Sequence, residues 1–307
     1  MSQTVLVTGA TGFIGRHLLQ RLRGSQDARI VVLVRRPDDA PAPGIMQVVC
    51  ALDQVKRHTW NDHGINRIDT VFHLAAYTPK SPDRANDVEA ICRDNIDGTR
   101  ALLESLPSAP ERFVFASTLD VYAPPGDGEI IDERSRLGPS GLYGASKLFC
   151  EQLVRAVALQ QGFRAIVLRY GHIFGPGEEG YRKLIPQMIR TLLAGERPKL
   201  YGNGGAERDY LYVSDAVEAT VRAAATDAAG QQPINIVRGQ SRPIREIAGS
   251  LARLTGFTEQ SEFQRNLPDG LSLRFDASRM RSVLGEWPLM SLEDGLAREV
   301  SYFRSLG

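Results

Sequence analysis

The run Val5-Leu6-Val7-Thr8-Gly9-Ala10-Thr11-Gly12-Phe13-Ile14-Gly15 constrains this chain more than any other stretch of it. An apolar, β-branched strand meets a turn with glycine at every third position and passes directly into an amphipathic helix. Gly9 permits the tight turn, Gly12 lets the backbone approach a pyrophosphate with no β-carbon in the way, and Gly15 lets helix and strand pack closely. Thr11, Phe13 and Ile14 complete the turn, whose free backbone N–H groups at the positive end of the helix receive an anion. In that strand-turn-helix context the glycines predict a dinucleotide site.

At about 150 residues per domain, 307 residues make roughly two domains. Up to residue 170, short β-branched runs alternate with longer amphipathic stretches, the pattern of βαβ units. Strands are predicted at Val5–Thr8, Ile30–Val34, Gln47–Cys50, Thr70–Leu74, Arg112–Ser117 and Ala165–Arg169, with helices after Gly12, near Asp53, before Asn95 and from Tyr143. Several of these strands are apolar without alternation, as in an α/β, doubly wound parallel sheet covered by helices on both faces. Beyond Arg169 the alternation breaks at Gly175-Pro176-Gly177 and Gly202-Asn203-Gly204-Gly205, which flank an amphipathic stretch from Lys183 to Leu193. The expected division is a dinucleotide-binding domain over residues 1–170 and a smaller substrate-binding lobe over 171–307. About 208–237, with a helix at Ser214–Ala225 and a strand at Pro233–Val237, is expected to return to the first domain.

Charge is balanced, 37 Lys and Arg against 36 Asp and Glu, so no global field draws nucleic acid or an anionic membrane, and any phosphate site is local. No apolar run approaches the roughly 18 residues that cross a bilayer. Cys50, Cys92 and Cys150 are odd in number and widely spaced, which argues against a disulfide framework or a zinc knuckle. With no basic leader at Met1-Ser2-Gln3, the expected location is the cytoplasm. His17, His58 and His63 form no ligand pair, so no metal is expected.

Tyr143-Gly144-Ala145-Ser146-Lys147 opens an amphipathic helix and sets a phenol and an ammonium four residues apart on one face. Ser117-Thr118 close the strand Phe113-Val114-Phe115-Ala116 at its carboxyl end, where α/β sheets place their ligands. A phenol beside an ammonium exchanges a proton with an alcohol or ketone, and the Thr118 hydroxyl holds the same oxygen. A non-catalytic dinucleotide sensor or scaffold needs the glycine turn alone, so this trio favours an enzyme. At the end of the second strand, where an NAD site usually offers a carboxylate to the ribose, stand Arg35 and Arg36. Cations there suit a 2′-phosphate, so NADP(H) is preferred and NAD(H) is the alternative; a solvated arginine pair is the plain reading.

The glycine spacing resembles that of the short-chain dehydrogenase/reductases. Further stretches are His73-Leu74-Ala75-Ala76, Asn95-Ile96-Asp97-Gly98-Thr99, Leu168-Arg169-Tyr170-Gly171, Phe174-Gly175-Pro176-Gly177 and Arg208-Asp209-Tyr210-Leu211-Tyr212-Val213-Ser214-Asp215. With them the chain resembles, from first strand to last helix, the extended members of that superfamily, the NAD-dependent epimerase/dehydratase family. The resemblance implies a Rossmann-type domain, a smaller C-terminal lobe and a nucleotide-diphosphate sugar as substrate. It makes Thr118, Tyr143 and Lys147 catalytic, with Asn95 supporting them through a helix kink or a water. Leu74, Ala75 and Ala76 would line the cofactor, and Lys147 would also reach its ribose. Arg208 stands where many such enzymes grip a phosphate or ribose, Arg265 lies near a second such position, and His172 replaces the usual Asn of L-R-x-x-N. A homodimer built on helices around Asn95–Ser105 and Tyr143–Gln160 is implied, although their apolar positions equally suit packing on the sheet.

Two further departures narrow the reaction. Thr118-Leu119-Asp120 lacks the acid of the T-D-E stretch of sugar 4,6-dehydratases, leaving Asp120 as the one carboxylate there. Cys50-Ala51-Leu52-Asp53 replaces G-D-L-x-D, and Asp53 reads instead as a helix N-cap. The expectation is an NADPH-dependent 4-keto reductase of a nucleotide sugar, with an epimerase holding NAD tightly as the alternative.

Overall fold

In the computed structural model, which describes residues 3–24, 28–37, 43–81, 85–227, 232–259, 261–268 and 270–307, the apolar β-branched runs become strands and the amphipathic stretches helices. The chain begins β1 (Gln3–Thr8), α1 (Phe13–Leu22), β2 (Ala28–Val34), β3 (Ile45–Val49), α2 (Arg57–Asn61), β4 (Thr70–His73), α3 (Val88–Ile91) and α4 (Gly98–Ser105). It continues through β5 (Arg112–Thr118), β6 (Ile130–Ile131), α5 (Leu142–Gln161), β7 (Arg164–Tyr170), β8 (His172–Phe174), α6 (Leu184–Leu193), β9 (Lys199–Tyr201), β10 (Glu207–Tyr212) and α7 (Val213–Ala225). The last elements are β11 (Ile234–Ile236), β12 (Ser241–Pro243), α8 (Ile244–Thr255), β13 (Glu262–Gln264), β14 (Arg274–Phe275), α9 (Ser278–Leu284) and α10 (Leu292–Ser305).

Seven strands form one sheet in the order β11-β7-β5-β4-β1-β2-β3, and the pairs from β7 to β3 are all parallel. The sheet grows outward in one direction through β2 and β3 and in the other through β4, β5 and β7. The order therefore reverses between β1 and β4, and the carboxyl ends of these two strands are where such a sheet leaves a crevice for a ligand. Leu6, Val31, Val71, Phe113, Phe115 and Val167 from the strands are buried with Leu102, Cys150 and Val154 from α4 and α5 in one apolar cluster. Near-continuous burial of β2, β4 and β5 explains their lack of alternation.

The chain divides into two compact units: Met1–Pro124, Arg136–Tyr170 and Val217–Ile234 form the first, and Pro125–Ser135, Gly171–Ala216 and Asn235–Gly307 the second. Two boundaries differ from expectation. The stretch that rejoins the first unit is Val217–Ile234 rather than 208–237, because β10 pairs with β8 and β12 in a three-stranded sheet of the second unit. Pro125–Ser135 also belongs to the second unit, where β6 pairs with β14. Asp53 caps no helix: it lies inside a short 3₁₀ turn, Leu52–Gln54, whose N-cap is Ala51. Among the described residues no helix is long and apolar enough to cross a membrane, and no group of three or more His, Cys, Asp and Glu side chains is arranged to hold a metal ion.

Candidate active site

In the first unit the glycine turn lies at the sheet's reversal point. Gly9 has φ +72°, and a β-carbon there would stand 2.6 Å from the amide nitrogen of Ala75. The Gly12 amide donates to the Gly9 carbonyl at 3.0 Å, and a β-carbon on Gly12 would meet that oxygen at 3.1 Å. Gly12 is the N-cap of α1 and offers no side chain to the first turn, so the amides there are left for an anion. Thr11 and Gly12 are exposed, Ile14 is half-buried, and Phe13 and Gly15 are buried. This cradle, which added β-carbons would crowd, fits a dinucleotide.

Buried hydrogen bonds hold the turn to β4. The Ala75 amide donates to Thr8 Oγ1 at 3.2 Å, and Thr8 Oγ1 lies 2.7 Å from His73 Nδ1. His73 Nε2 is 3.0 Å from Thr99 Oγ1. Burial, with Lys147 adding to it, pulls the His73 pKa down to about 3, so the ring is neutral, and Thr8 donating to Nδ1 leaves Nε2–H for Thr99. Leu74, Ala75 and Ala76 follow β4, half-buried. Arg35 and Arg36 are exposed just past β2, and Arg35 Nη1 lies 3.5 Å from a carboxylate oxygen of Asp94.

Thr118 ends β5, while Tyr143 and Lys147 lie in the first turns of α5. Gly144 brings these elements together, since a β-carbon there would lie 2.3 Å from the Asp120 carbonyl oxygen. Any larger residue would push Tyr143 away from the Thr118–Asp120 turn. Thr118 Oγ1 accepts from the Asp120 amide at 3.2 Å, and burial raises the Asp120 carboxyl while the Thr118 hydroxyl opposes the rise. Tyr143 is half-buried. Lys147 is buried, with Nζ 4.4 Å from the centroid of the Phe115 ring. Burial lowers its pKa to about 8, against the pull of Cys150 and Glu151.

Asn95 sits in a single π-helical turn, Cys92–Asp97, between α3 and α4. Its amide donates to Ser146 Oγ at 2.9 Å and its carbonyl oxygen accepts from the Tyr77 amide at 2.7 Å. Ser146 Oγ in turn donates to the Tyr143 carbonyl at 2.7 Å. Asn95 thus ties the loop after β4 to the turn that carries Tyr143.

The remaining candidates are in the second unit. His172 opens β8 beside Tyr210 of β10, with ring centroids 5.5 Å apart. Burial, then Arg208 and Lys183, pull its pKa to about 4, so the ring is neutral. Arg208 Nη1 donates to the carbonyls of Glu207 and Leu271 at 2.8 and 2.6 Å, and among the described residues no carboxylate pairs with it. Its neighbour Asp209 is buried and accepts from the amides of Arg238, Gly239 and Gln240 at 2.8, 2.7 and 2.9 Å. Asp215 accepts from the Met290 amide at 2.9 Å. The aspartates of the Arg208–Asp215 stretch are thus loop anchors. Arg265 is exposed on the turn after β13, and among the described residues no hydrogen bond or ion pair joins it to His172 or Arg208.

Sequence reading named Gly144, Ser117 and Arg169 within motifs but missed their roles, and it did not name Glu151. The signals were present as Tyr143-x-x-x-Lys147-x-x-x-Glu151 and as the arginine of Leu168-Arg169, but no spacing linked them.

Residues 5–237 match the profile of the NAD dependent epimerase/dehydratase family. The chain is 30% identical to the UDP-N-acetyl-alpha-D-glucosaminuronate decarboxylase of Bacillus cytotoxicus, over 100% of this chain and 99% of that protein. It is 29% identical to the dTDP-4-dehydro-6-deoxy-D-allose reductase of Streptomyces bikiniensis, over 98% and 96%. The UDP-glucuronic acid 4-epimerase of Bacillus cereus, solved with UDP-glucuronic acid and NAD, superposes with a TM-score of 0.85 at 25% identity, covering 99% of this chain and 100% of that one. The chain belongs to the NAD-dependent epimerase/dehydratase family and is an enzyme of that kind.

Proposed function

We propose that this protein reduces a keto group of a nucleotide-diphosphate sugar with NADPH, most simply at C4. The observation that supports the chemistry is the close packing of α5 on the Thr118–Asp120 turn at Gly144, which would bring the Tyr143 phenol, the Lys147 ammonium and the Thr118 hydroxyl together at the carboxyl end of β5. Gly9, Thr11, Gly12, Phe13, Ile14 and Gly15 would hold the cofactor's pyrophosphate, Leu74, Ala75 and Ala76 would line it, and Lys147 would reach its ribose. A bound nicotinamide supplies the hydride. Tyr143 delivers the proton to the carbonyl oxygen, Thr118 orients that oxygen, and Lys147, charged near neutral pH, supports the phenol. Arg35 and Arg36, cations at the point where an NAD site usually offers a carboxylate, support the phosphorylated dinucleotide. Arg208, held by two carbonyls, supplies a cation for a diphosphate, with His172 as a neutral neighbour and Arg265 as a second cation.

Epimerisation with tightly held NAD is the second reading, supported by the NAD in the complex of the Bacillus cereus epimerase. Supplying a nucleotide-linked 4-keto sugar and following absorbance at 340 nm separates the two. Stoichiometric NADPH loss supports reduction, and sugar inversion with no external nucleotide consumed overturns it in favour of epimerisation.

A homodimer in the cytoplasm belongs to the same reading. Leu142 and Phe149, seven residues apart, share one exposed face of α5 with 40% and 53% of their surface accessible, an apolar stripe suited to a second copy, and Leu159, 73% accessible, lies further along and round the helix.

A further inference from the structure

Tyr143, Lys147 and Glu151 follow one another at four-residue intervals, one stripe along α5. Beneath the far end of that stripe, Ser117 of β5 and Arg169 of β7 are paired in register and therefore point to the same face of the sheet. Both reach the Glu151 carboxylate. Ser117 Oγ donates to Oε1 at 2.5 Å, Arg169 Nε donates to Oε1 at 2.9 Å, and Arg169 Nη2 donates to Oε2 at 2.7 Å. Arg169 Nη1 donates to Tyr122 Oη at 2.8 Å, and its guanidinium lies 4.8 Å from the centroid of that ring. Neither charge sees water: Glu151 is 0% exposed and Arg169 2%.

A buried pair of this kind adds little stability over apolar residues of the same size, because desolvation offsets its attraction. Its geometric effect is specific. A bidentate fork fixes direction as well as distance, and here it joins the final residues of β5, the end of β7 and the helix face that carries the phenol and the ammonium.

We propose that Glu151 is a positioning residue that acts through its neighbours, clamping Ser117, and so Thr118, to the Tyr143–Lys147 face of α5 while Arg169 balances its charge. This rests on the Thr118, Tyr143 and Lys147 reading above. The titratable groups on the elements packed around Lys147 include His73 from β4, Asp120 and Tyr122 from the turn after β5, Tyr143, Cys150 and Glu151 from α5, and Arg169 from β7. His73 is neutral, and burial pushes the Cys150 thiol up. Glu151 is the anion that supports the Lys147 ammonium on its own helix, and Arg169, forked onto the same carboxylate, offsets part of that charge.

The two halves of the clamp therefore have opposite effects. Glu151→Gln removes the anion and leaves Arg169 unpaired, lowering the Lys147 titration by about one pH unit; Arg169→Met frees the carboxylate and raises it by a similar amount. The chain has five lysines, Lys56, Lys80, Lys147, Lys183 and Lys199, so ¹³C NMR of lysine Cε can follow Lys147, assigned by its loss in Lys147→Met. No substrate is required. Shifts of opposite sign support the proposal. A Lys147 titration that coincides with wild type in whichever of the two variants folds overturns it, since a merely structural clamp would change the melting temperature alone. The underlying reading fails separately, if Tyr143→Phe leaves turnover unchanged.

Discussion

A β-carbon on Gly15 would lie 2.0 Å from the carbonyl oxygen of Gly9, whereas one on Gly12 would lie 3.1 Å from the same atom. The two glycines therefore serve different ends. Gly15→Ala forces the helix off the strand and costs about 1–3 kcal/mol of stability. Gly12→Ala folds with little loss but weakens dinucleotide binding by about tenfold, or 1.4 kcal/mol, by crowding the pyrophosphate. Thermal denaturation and nucleotide titration of both variants check the contrast.

On the proposed reading, Arg35 binds the 2′-phosphate of the cofactor. Replacement by Asp removes a charge-assisted donor and adds a like charge, so NADPH affinity should fall by about 1.5–3 kcal/mol while NADH affinity holds or improves. Fluorescence titration with both nucleotides measures this. Equal affinity of the wild-type protein for the two would sink the argument.

Tyr143→Phe should leave the fold and dinucleotide affinity intact and lower kcat by roughly 10²–10⁴, the usual worth of a positioned proton donor. Steady-state kinetics with a keto sugar, beside circular dichroism, distinguish this from misfolding.

Glu299 gives a stability prediction with a definite sign. Its side chain is fully buried on α10, and burial, followed by Glu178 and Glu179, raises its pKa from 4.5 to about 8. Between those values the folded chain keeps a proton that the unfolded chain releases, so stability is present below pH 4.5 and declines as pH rises to about 8. Glu299→Gln cannot ionise. It should melt higher than wild type at pH 8, by a few kcal/mol in stability, and alike at pH 4.5. Equal melting temperatures at pH 8 would contradict the burial argument.

The exposed stripe on α5 predicts self-association. Phe149→Glu puts a charge in that stripe and should convert a dimer to monomer in sedimentation velocity, with unchanged helicity. A wild-type monomer at tens of micromolar would remove the stripe's assignment.

The glycine turn was legible because its chemistry is local: the strand, the turn and the start of the helix fall within 11 residues, and each glycine answers to a contact inside that stretch or with Leu74-Ala75 just after β4. The strands of the main sheet were legible because burial on both faces leaves unbroken apolar runs. The short strands of the second unit were not, since β8 and β9 have three residues each, too few to show alternation. The Glu151 clamp was hidden for another reason. Its members are ordinary residues 18 and 34 positions apart, and only the register of β5 on β7 beneath α5 makes them neighbours.

The interleaving of the two units bears on how the protein is made. The first unit is assembled from three segments and takes its last from Val217–Ile234, while β11, the neighbour of β7 in the sheet, begins only at Ile234. A nascent chain that has just released β7 from the ribosome therefore carries an apolar parallel strand with an unpaired edge until more than 60 further residues emerge. During that interval the growing polypeptide presents a template for wrong strand pairing, and a fragment cut at residue 170 would retain it permanently.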